Sequence, residues 1–218
     1  MKNTKIISIS GRMGSGKDTA GNIVKQLLEE DNNPLWDIEK FASGLKTIAS
    51  LILGISVEKF ENQEFKASYL PEAWNTHKAV FTDRTDLHGW EVITNPMTVR
   101  EFLQKLGTDA MRNGLHENVW VNMLMSKYEK INNMVSNVNI NSFPRWIITD
   151  TRFPNEYAAL KEKEALFIKI ERPGIEISNH PSENSLDNHE FDHIIDNSED
   201  MYELTQKLKR VLILENYL

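Results

Sequence analysis

Apolar runs and polar segments alternate along this 218-residue chain in a pattern that predicts strands followed by helices. The β-branched run at 5–10 ends at Gly11 and predicts a buried parallel strand. Residues 17–30 then carry apolar side chains at helical spacing and stop before Asn32, Asn33 and Pro34. The chain therefore opens with a strand, a glycine-rich loop and a helix.

The same patterns continue towards the other end of the chain. They predict strands at 37–41, 146–148, 165–170 and 193–195, and helices at 45–53, 99–110, 120–131, 154–164 and 201–212. Apolar stripes run from Val99 to Ala110 and from Met201 to Leu212, and Thr98 and Glu101 are spaced for a capping box. Strands that alternate with helices predict an α/β fold with a parallel sheet.

Two segments interrupt this periodicity. Residues 55–97 mix charged residues with Trp74 and Trp90 and show no sustained period, so we interpret them as an insertion over the core. Residues 172–190 are polar and rich in loop-forming residues, which favours a lid-like loop. We expect residues 1–218 to form a single domain that carries these two additions.

Composition and charge exclude several classes of function. The 25 basic and 32 acidic residues give a net charge of −7, which disfavours binding to polymeric nucleic acid or to an anionic membrane. The absence of cysteine excludes disulfides, thiolate metal sites and a cysteine nucleophile. The apolar run near the N-terminus is too short for a signal sequence or a membrane span, so we expect a cytoplasmic protein.

Residues 11–17 match the Gly-x-x-x-x-Gly-Lys frame of a phosphate-binding loop. In such a loop the backbone amides and the start of the following helix bind phosphate oxygens, and the lysine reaches the outer phosphates. The alternative is an ordinary turn between a strand and a helix. The loop predicts the three-layer fold of P-loop NTPases, with a nucleotide bound by Gly11, Met13, Gly14, Ser15, Gly16, Lys17, Asp18 and Thr19.

Three oxygen-bearing side chains are candidate ligands for a metal ion. Asp18 stands where a magnesium-binding Ser or Thr is usual, and Thr19 follows one position later. Asp18 could instead stabilise the helix dipole. Asp150 follows an apolar strand, where P-loop enzymes place an acid that binds Mg²⁺ or its waters. The alternative for Asp150 is a cap for the next helix.

Arginines later in the chain are candidates for a second anionic ligand. The planar guanidinium group matches phosphate oxygens, so Arg100 and Arg152 are better phosphate candidates than surface lysines. For either residue alone, a solvated surface arginine is the alternative.

The motifs together resemble the phage deoxynucleoside monophosphate kinases. The resemblance is carried in order by GRMGSGKDT, FASGLK, TVREFLQKLGTDAMR, WVNML, IITDTRFPNE, IKIERPG, HPSE and DHIIDNSEDMYEL, and it leaves mainly residues 55–97 unmatched. That family also has Asp after the loop lysine. The resemblance implies transfer of a phosphoryl group from ATP to a deoxynucleoside monophosphate, with Mg²⁺ held by Thr19, Asp18 or Asp150.

The resemblance also suggests roles for the remaining candidates. Lys17 would stabilise the transferred group, while Lys46 and Arg100 would bind the acceptor phosphate and Arg152 would lie between the substrates. Lys46 could equally be a solvated helix residue. A kinase site has to exclude water, so the polar segment 172–190 is expected to close as a lid, and Arg172 would then reach the donor phosphates. By its position in the turn after the last strand, Asn197 is a candidate for a contact with adenine.

Other features of the resemblance leave their roles open. His180 and Glu183 match a family motif without an assigned role. Residues 55–97 are expected to cover the acceptor base through Trp74, Trp90 or Arg84, and a homodimer is expected. Two rival functions are another small-metabolite kinase of this fold, such as one resembling dephospho-coenzyme A kinase, and a nucleotide-binding switch without turnover.

Overall fold

The computed structural model describes residues 5–31, 36–84, 87–137, 144–175 and 181–218. The chain divides into two compact units, Met1–Ser43 with Trp120–Leu218, and Gly44–Val119. In chain order its elements are β1 (Ile6–Ser10), α1 (Lys17–Glu30), β2 (Trp36–Glu39), α2 (Ser43–Leu53), α3 (Gln63–Ala67), β3 (Thr76–Arg84), β4 (Leu87–Asn95), α4 (Val99–Gln104), α5 (Val119–Asn137), β5 (Arg145–Ile148), α6 (Pro154–Glu162), β6 (Leu166–Glu171), α7 (Pro181–Asn184), β7 (His193–Asp196) and α8 (Met201–Leu214).

The described part of the first unit is built on a five-stranded parallel sheet with the order β2-β5-β1-β6-β7. The central strand is β1, in which Ile7 is in register with Ile147 of β5 and with Leu166 of β6. Every residue of β1 is buried, because side chains on both sides of a central parallel strand are covered. The loops that follow β1, β5 and β6 therefore meet at the carboxyl edge of the sheet, where α/β proteins bind ligands.

Helices cover both faces of this sheet. Ile147 belongs to a buried cluster with apolar residues of α1 and α8, whereas the adjacent Trp146 contacts the ring of Tyr128 in α5. On β6, Phe167 stacks on Tyr157 of α6. Neighbouring strand residues point to opposite faces, so each strand contributes to both apolar layers. The predicted three-layer α/β fold with a parallel sheet is confirmed.

The second unit has a separate small core. Phe60, Leu70, Val99 and Phe102 are buried together, and the ring of Trp74 packs edge-on against Phe102. The predicted capping box is present at the start of α4, where Thr98 and Glu101 exchange hydrogen bonds. This core stabilises the unit through helix α4 and the short turns before it.

The segment 55–97 contains more regular structure than its sequence predicts. It includes a long antiparallel hairpin, β3–β4, in which Phe81 is in register with Trp90. The side chains at 76–79 and 90–95 are exposed on both faces of the ribbon. Burial on one face produces the alternating pattern that marks a strand, and its absence here explains why no period is visible.

Two apolar stripes were predicted one residue too long. Ala110 is exposed because the helix after α4 continues as a π-helix over Lys105–Asn113, which shifts each residue around the axis. Met201 is 65 % exposed at the first turn of α8, whereas Leu204, Leu208, Val211 and Leu212 are buried as predicted. The single domain, the insertion at 55–97 and the lid at 172–190 stay predictions.

Among the described residues, no helix is both long enough and apolar enough to cross a lipid bilayer.

Candidate functional site

The glycine-rich loop between β1 and α1 has the backbone geometry of a tight anion-binding turn. Gly14 and Gly16 have φ angles of 82° and 94°, which side chains other than glycine adopt only with strain. A Cβ on Gly11 would lie 2.6 Å from the carbonyl oxygen of Ile170. The amide of Ser15 donates to the carbonyl of Arg12 at 3.1 Å and closes the turn. The glycines are therefore required by the path of the chain itself.

Asn197 holds this loop from the end of β7. Its side-chain Nδ2 donates to the carbonyl oxygen of Ser15 at 2.8 Å, and its own amide donates to the carbonyl of Glu171 at 2.7 Å. A Cβ on Gly16 would lie 2.5 Å from the same Nδ2. Asn197 is buried, so the loop, β6 and β7 are joined by one desolvated side chain. The predicted contact of Asn197 with adenine stays a prediction.

Lys17 is the first residue of α1 and is only 6 % exposed. Its Nζ donates to the carbonyl of Arg12 at 3.2 Å. Burial and, to a smaller extent, the nearby charge of Arg152 lower the pKa of Lys17 to about 8, although the carboxylates of Asp18, Glu183 and Asp150 oppose the shift. Two cations that face each other in a partly desolvated site attract an anionic ligand.

Asp18 lies beside Lys17 and is held by two side chains. Its Oδ1 accepts from the Nζ of Lys40 at 2.9 Å and from the hydroxyl of Thr149 at 3.1 Å. Burial acts to raise the pKa of Asp18, but the bond and charge of Lys40 and the bond from Thr149 outweigh it and hold the pKa below its usual value. Asp18 is therefore ionised at neutral pH. It also lies in the first turn of α1, where an acid stabilises the helix dipole.

Asp150 lies just beyond the end of β5 and contacts the segment after β2. Its two carboxylate oxygens accept from the amides of Phe41 and Ala42, each at 2.9 Å. The N-cap position of α6 is Phe153, so Asp150 does not occupy the capping position that was the alternative prediction for it. Glu156 instead accepts from the amides of Arg152 and Phe153 at the start of that helix.

Arg152 joins the loop through a buried acid. Its Nη1 donates to Oε1 of Glu183 at 2.5 Å, and Oε2 of Glu183 accepts from the amide of Met13 in the glycine-rich loop at 2.6 Å. The Glu183 side chain is 9 % exposed. Arg12 is paired in a similar way with Asp187 at 2.9 Å. Glu183 and Asp187, both from the segment after residue 180, thus bond to the loop or to an arginine beside it.

A cavity of about 310 Å³ adjoins the outer side of the loop. Its walls include Ser15, Arg172, Ile175 and Asp196. The hydroxyl of Ser15 is buried and has no hydrogen-bond partner among the described residues. A buried hydroxyl without a partner carries a desolvation cost, which a ligand oxygen would remove. Arg172 lines this cavity next to the loop, and its predicted contact with the donor phosphates stays a prediction.

The other predicted phosphate contacts lie in the second unit. Lys46 in α2 pairs with Glu61 at 2.5 Å, and Nη2 of Arg100 donates to Oε1 of Gln63 at 3.1 Å. Their predicted roles towards the acceptor stay predictions. His180 lies outside the described residues. Within those residues, no cluster of three or more metal-ligating His, Asp or Glu side chains is present.

Three of these contacts were not predicted from the sequence. Lys40 on Asp18, Glu183 on Met13 and Asn197 on Ser15 all join residues more than twenty positions apart. A weak clue existed only for Asn197, which follows a strand predicted to end at the same edge as the loop.

Comparison with known proteins identifies the family of this chain. A family model described as deoxynucleotide monophosphate kinase matches residues 52–208, about seven-tenths of the chain. The chain belongs to this family. A protein of Acanthamoeba polyphaga mimivirus, provisionally named deoxynucleotide monophosphate kinase, is 29 % identical over 190 residues, covering 83 % of this chain and 81 % of that protein.

Two phage proteins extend the relationship within the deoxynucleotide monophosphate kinase family. The deoxynucleoside-5'-monophosphate kinase of Escherichia phage T5 is 23 % identical over 225 residues, covering 83 % of this chain and 84 % of that protein. The deoxynucleotide monophosphate kinase of Enterobacteria phage T4 is 30 % identical over 122 residues, covering 55 % of this chain and 47 % of that protein. The expected family is therefore confirmed.

Proposed function

We propose that this chain catalyses ATP-dependent phosphorylation of deoxynucleoside monophosphates to the diphosphates. It is a phosphotransferase of the deoxynucleotide monophosphate kinase family. The observation that carries the assignment is the buried ammonium of Lys17, which lies at the end of a glycine-rich turn and is close enough to Arg152 for that charge to lower its pKa. A switch protein needs the turn alone, whereas a kinase needs further positive charge for the phosphoryl group in transfer.

The glycine-rich loop is the proposed site of the ATP phosphates. The amides of the loop and the first turn of α1 would bind phosphate oxygens, and Lys17 would contact the group that is transferred. The cavity lined by Arg172, Ile175 and Asp196 is large enough for the nucleoside part of ATP. If the base lies in this cavity, the side chain of Asn197 supports the loop through its bond to Ser15 and does not need to contact the base.

The reaction requires no covalent intermediate with the protein. An oxygen of the acceptor monophosphate attacks the γ-phosphorus of ATP, the bond between that phosphorus and the β-γ bridging oxygen breaks, and ADP leaves. The protein aligns the two reactants and balances the charge that spreads over the transferred group. Lys17 and Arg152 are the proposed residues for charge balance, and both are held by the contacts described above.

Mg²⁺ is the proposed partner of ATP. Magnesium is commonly held by substrate phosphates, waters and one or two carboxylates, so it does not require a cage of protein ligands. Asp18, Thr19 and Asp150 supply such oxygens, and Asp18 is ionised with a side chain that is 61 % exposed. These residues fit a hydrated magnesium ion, which when bound would neutralise charge on the donor phosphates.

Several residues are proposed to bind the acceptor or to enclose the reaction. Lys46 and Arg100 are the candidates for the acceptor phosphate, and Arg152 for the position between the substrates. Residues 55–97 would cover the acceptor base, and a lid over 172–190 would exclude water during transfer. The cytoplasm stays the predicted location.

A homodimer is proposed from the exposed apolar surface of the hairpin. Phe81 and Trp90 form an edge-on ring pair, yet they are 56 % and 73 % exposed, and Val92 on the same face is 64 % exposed. A two-stranded ribbon with exposed faces is marginally stable by itself. A second copy of the chain would cover this surface.

The assignment is tested by coupled-assay turnover with ATP and each deoxynucleoside and ribonucleoside monophosphate, together with dephospho-coenzyme A. We expect turnover with at least one deoxynucleoside monophosphate and loss of at least a thousandfold in Lys17→Ala, on the scale of removing a preorganised charge. Lys25→Ala is the matched control, because Lys25 lies on the same helix and pairs with Glu29. Turnover of none of these monophosphates above the Lys17→Ala background would reject the proposal, and turnover of dephospho-coenzyme A alone would favour the rival kinase.

A further inference from the structure

Glu183 occupies an unusual position for a carboxylate. It lies in α7, a helix of a single turn, and its side chain is directed at a loop whose amides are suited to binding anions. Each of its two oxygens has its own donor, the amide of Met13 at 2.6 Å and the guanidinium of Arg152 at 2.5 Å. Only 9 % of the side chain is exposed, so these bonds replace most of its hydration.

The two donors are of the kinds that bind phosphate. A backbone amide in a glycine-rich turn and a guanidinium group both bind phosphate oxygens as readily as carboxylate oxygens. The charge of Glu183 also acts on Lys17, the residue proposed to contact the transferred group. The carboxylate therefore lies where an oxygen of a phosphorylated ligand would have the same partners.

We infer that the Met13 amide and the Arg152 guanidinium form a subsite for one phosphoryl oxygen of ATP, and that Glu183 competes with ATP for this subsite. The inference rests on the proposed function, since it assigns the ligand of the loop as a nucleoside triphosphate. When ATP binds, the two donors exchange the carboxylate for a phosphoryl oxygen, and the Glu183 side chain turns towards solvent. No bond is made or broken in this exchange except hydrogen bonds.

Competition by Glu183 lowers the affinity of the chain for ATP. Binding of ATP displaces a charged acceptor from two hydrogen bonds, so the observed affinity is lower than that of the open subsite. A neutral side chain of the same shape competes less well, because a hydrogen bond to a charged acceptor is stronger than one to a neutral acceptor. Removing the charge of Glu183 therefore strengthens ATP binding, whereas removing a residue that only orients Arg152 weakens it or slows turnover.

The test compares binding of ATP with Mg²⁺, and of inorganic tripolyphosphate, to the wild-type chain and to Glu183→Gln by titration calorimetry. We expect Kd to fall on the order of tenfold in Glu183→Gln for both compounds, because both carry the phosphoryl oxygens and only one carries a base. Asp187→Asn is the matched control. It removes one negative charge from the same segment, but Asp187 pairs with Arg12 and Lys169 rather than with a loop amide. We expect its Kd to change by less than about twofold.

A second measurement guards against a variant that does not fold. The ¹⁵N–¹H signal of Met13 should shift when ATP is added to the wild-type chain, and Glu183→Asp, whose side chain is one methylene shorter, should bind ATP more tightly than wild type. An unchanged or higher Kd in folded Glu183→Gln, or a Met13 signal that ATP does not move, would overturn the inference. Absence of kinase turnover in the wild type would instead reject the proposed function, since the binding comparison does not depend on turnover.

Discussion

The side-chain amide of Asn197 donates a hydrogen bond to the carbonyl oxygen of Ser15 at 2.8 Å, although the two residues are 182 positions apart. The bond fixes the Ser15 carbonyl on the residue that follows β7. It also explains why Gly16 has no side chain, since a Cβ there would meet the same amide. The conformation of the loop thus depends on a residue at the far end of the sheet.

Asn197→Ala should raise the KM for ATP by about tenfold, because a buried carbonyl loses its donor and the loop loses the contact that orients its amides. The KM for the monophosphate should stay within about twofold, since the Asn197 side chain bonds to the loop proposed to bind ATP. Steady-state kinetics with each substrate varied in turn measures this split. Asn197→Asp should be worse than Asn197→Ala, because it places a carboxylate oxygen against the Ser15 carbonyl. Equal changes in both KM values would argue against the predicted role.

The affinity for ATP should depend on pH through Lys17. Its pKa is lowered to about 8, so the ammonium is present below pH 8 and is progressively lost above it. The association constant for ATP should therefore fall by roughly tenfold per pH unit above about pH 8 and stay nearly constant between pH 6.5 and 7.5.

Bound phosphates favour the charged form of Lys17, so ATP binding near pH 9 should take up close to one proton. Calorimetry in buffers of different ionisation enthalpy measures this uptake. If the affinity for ATP stays constant up to pH 9.5 and binding takes up no proton, the prediction that Lys17 loses its charge above about pH 8 is wrong.

Lys17→Met should stabilise the fold while it abolishes turnover. The pKa of Lys17 is about 8 in the folded chain, against 10.5 for an unperturbed lysine such as that of the unfolded chain. Between about pH 8 and pH 10.5 the unfolded chain therefore binds more protons than the folded chain. The free energy of unfolding of the wild type therefore rises with pH across this window. Below pH 8 the buried cation destabilises the fold by about 3 kcal/mol at most, and Met removes that cost.

Thermal unfolding at several pH values measures this effect. We expect the Tm of Lys17→Met to exceed that of wild type by roughly 5 °C at pH 7, with the difference shrinking between pH 8 and 10.5. Lys25→Met is the control, because Lys25 lies on the same helix, is a third exposed and pairs with Glu29, so we expect its Tm at pH 7 to stay close to that of wild type. A lower Tm for Lys17→Met at pH 7 would contradict the prediction.

The double substitution Phe81→Ser and Trp90→Ser should convert a dimer into a monomer. These rings are the largest exposed apolar groups on the hairpin, and their removal deletes the centre of the proposed interface. Light scattering after size-exclusion chromatography at about 20 μM measures the mass. Leu51→Ser is the control, because Leu51 is 81 % exposed but lies on α2. A wild-type chain that elutes as a monomer at this concentration would remove the basis of the proposal.

Much of the fold was predictable from local patterns, and the exceptions have physical causes. Helix α1 occupies 17–30 as predicted, because an apolar stripe and a glycine boundary are both local features. The β3–β4 hairpin was missed because neither of its faces is buried. The end of the stripe at Ala110 was missed because a π-helix changes the angular spacing of residues without any marker in the sequence.

The sequence by itself determined the phosphate-binding loop with its Lys17, because a glycine turn between a strand and a helix is encoded within a dozen neighbouring residues. It also determined the family, because several short motifs occur in the family's order along most of the chain. Only the tertiary structure decided which side chains support that loop. Asn197, Lys40 and Glu183 reach it from distant segments. The physical reason is that a parallel sheet brings the ends of non-consecutive strands to one edge, and the spacing of residues along the chain carries no record of which side chains meet there.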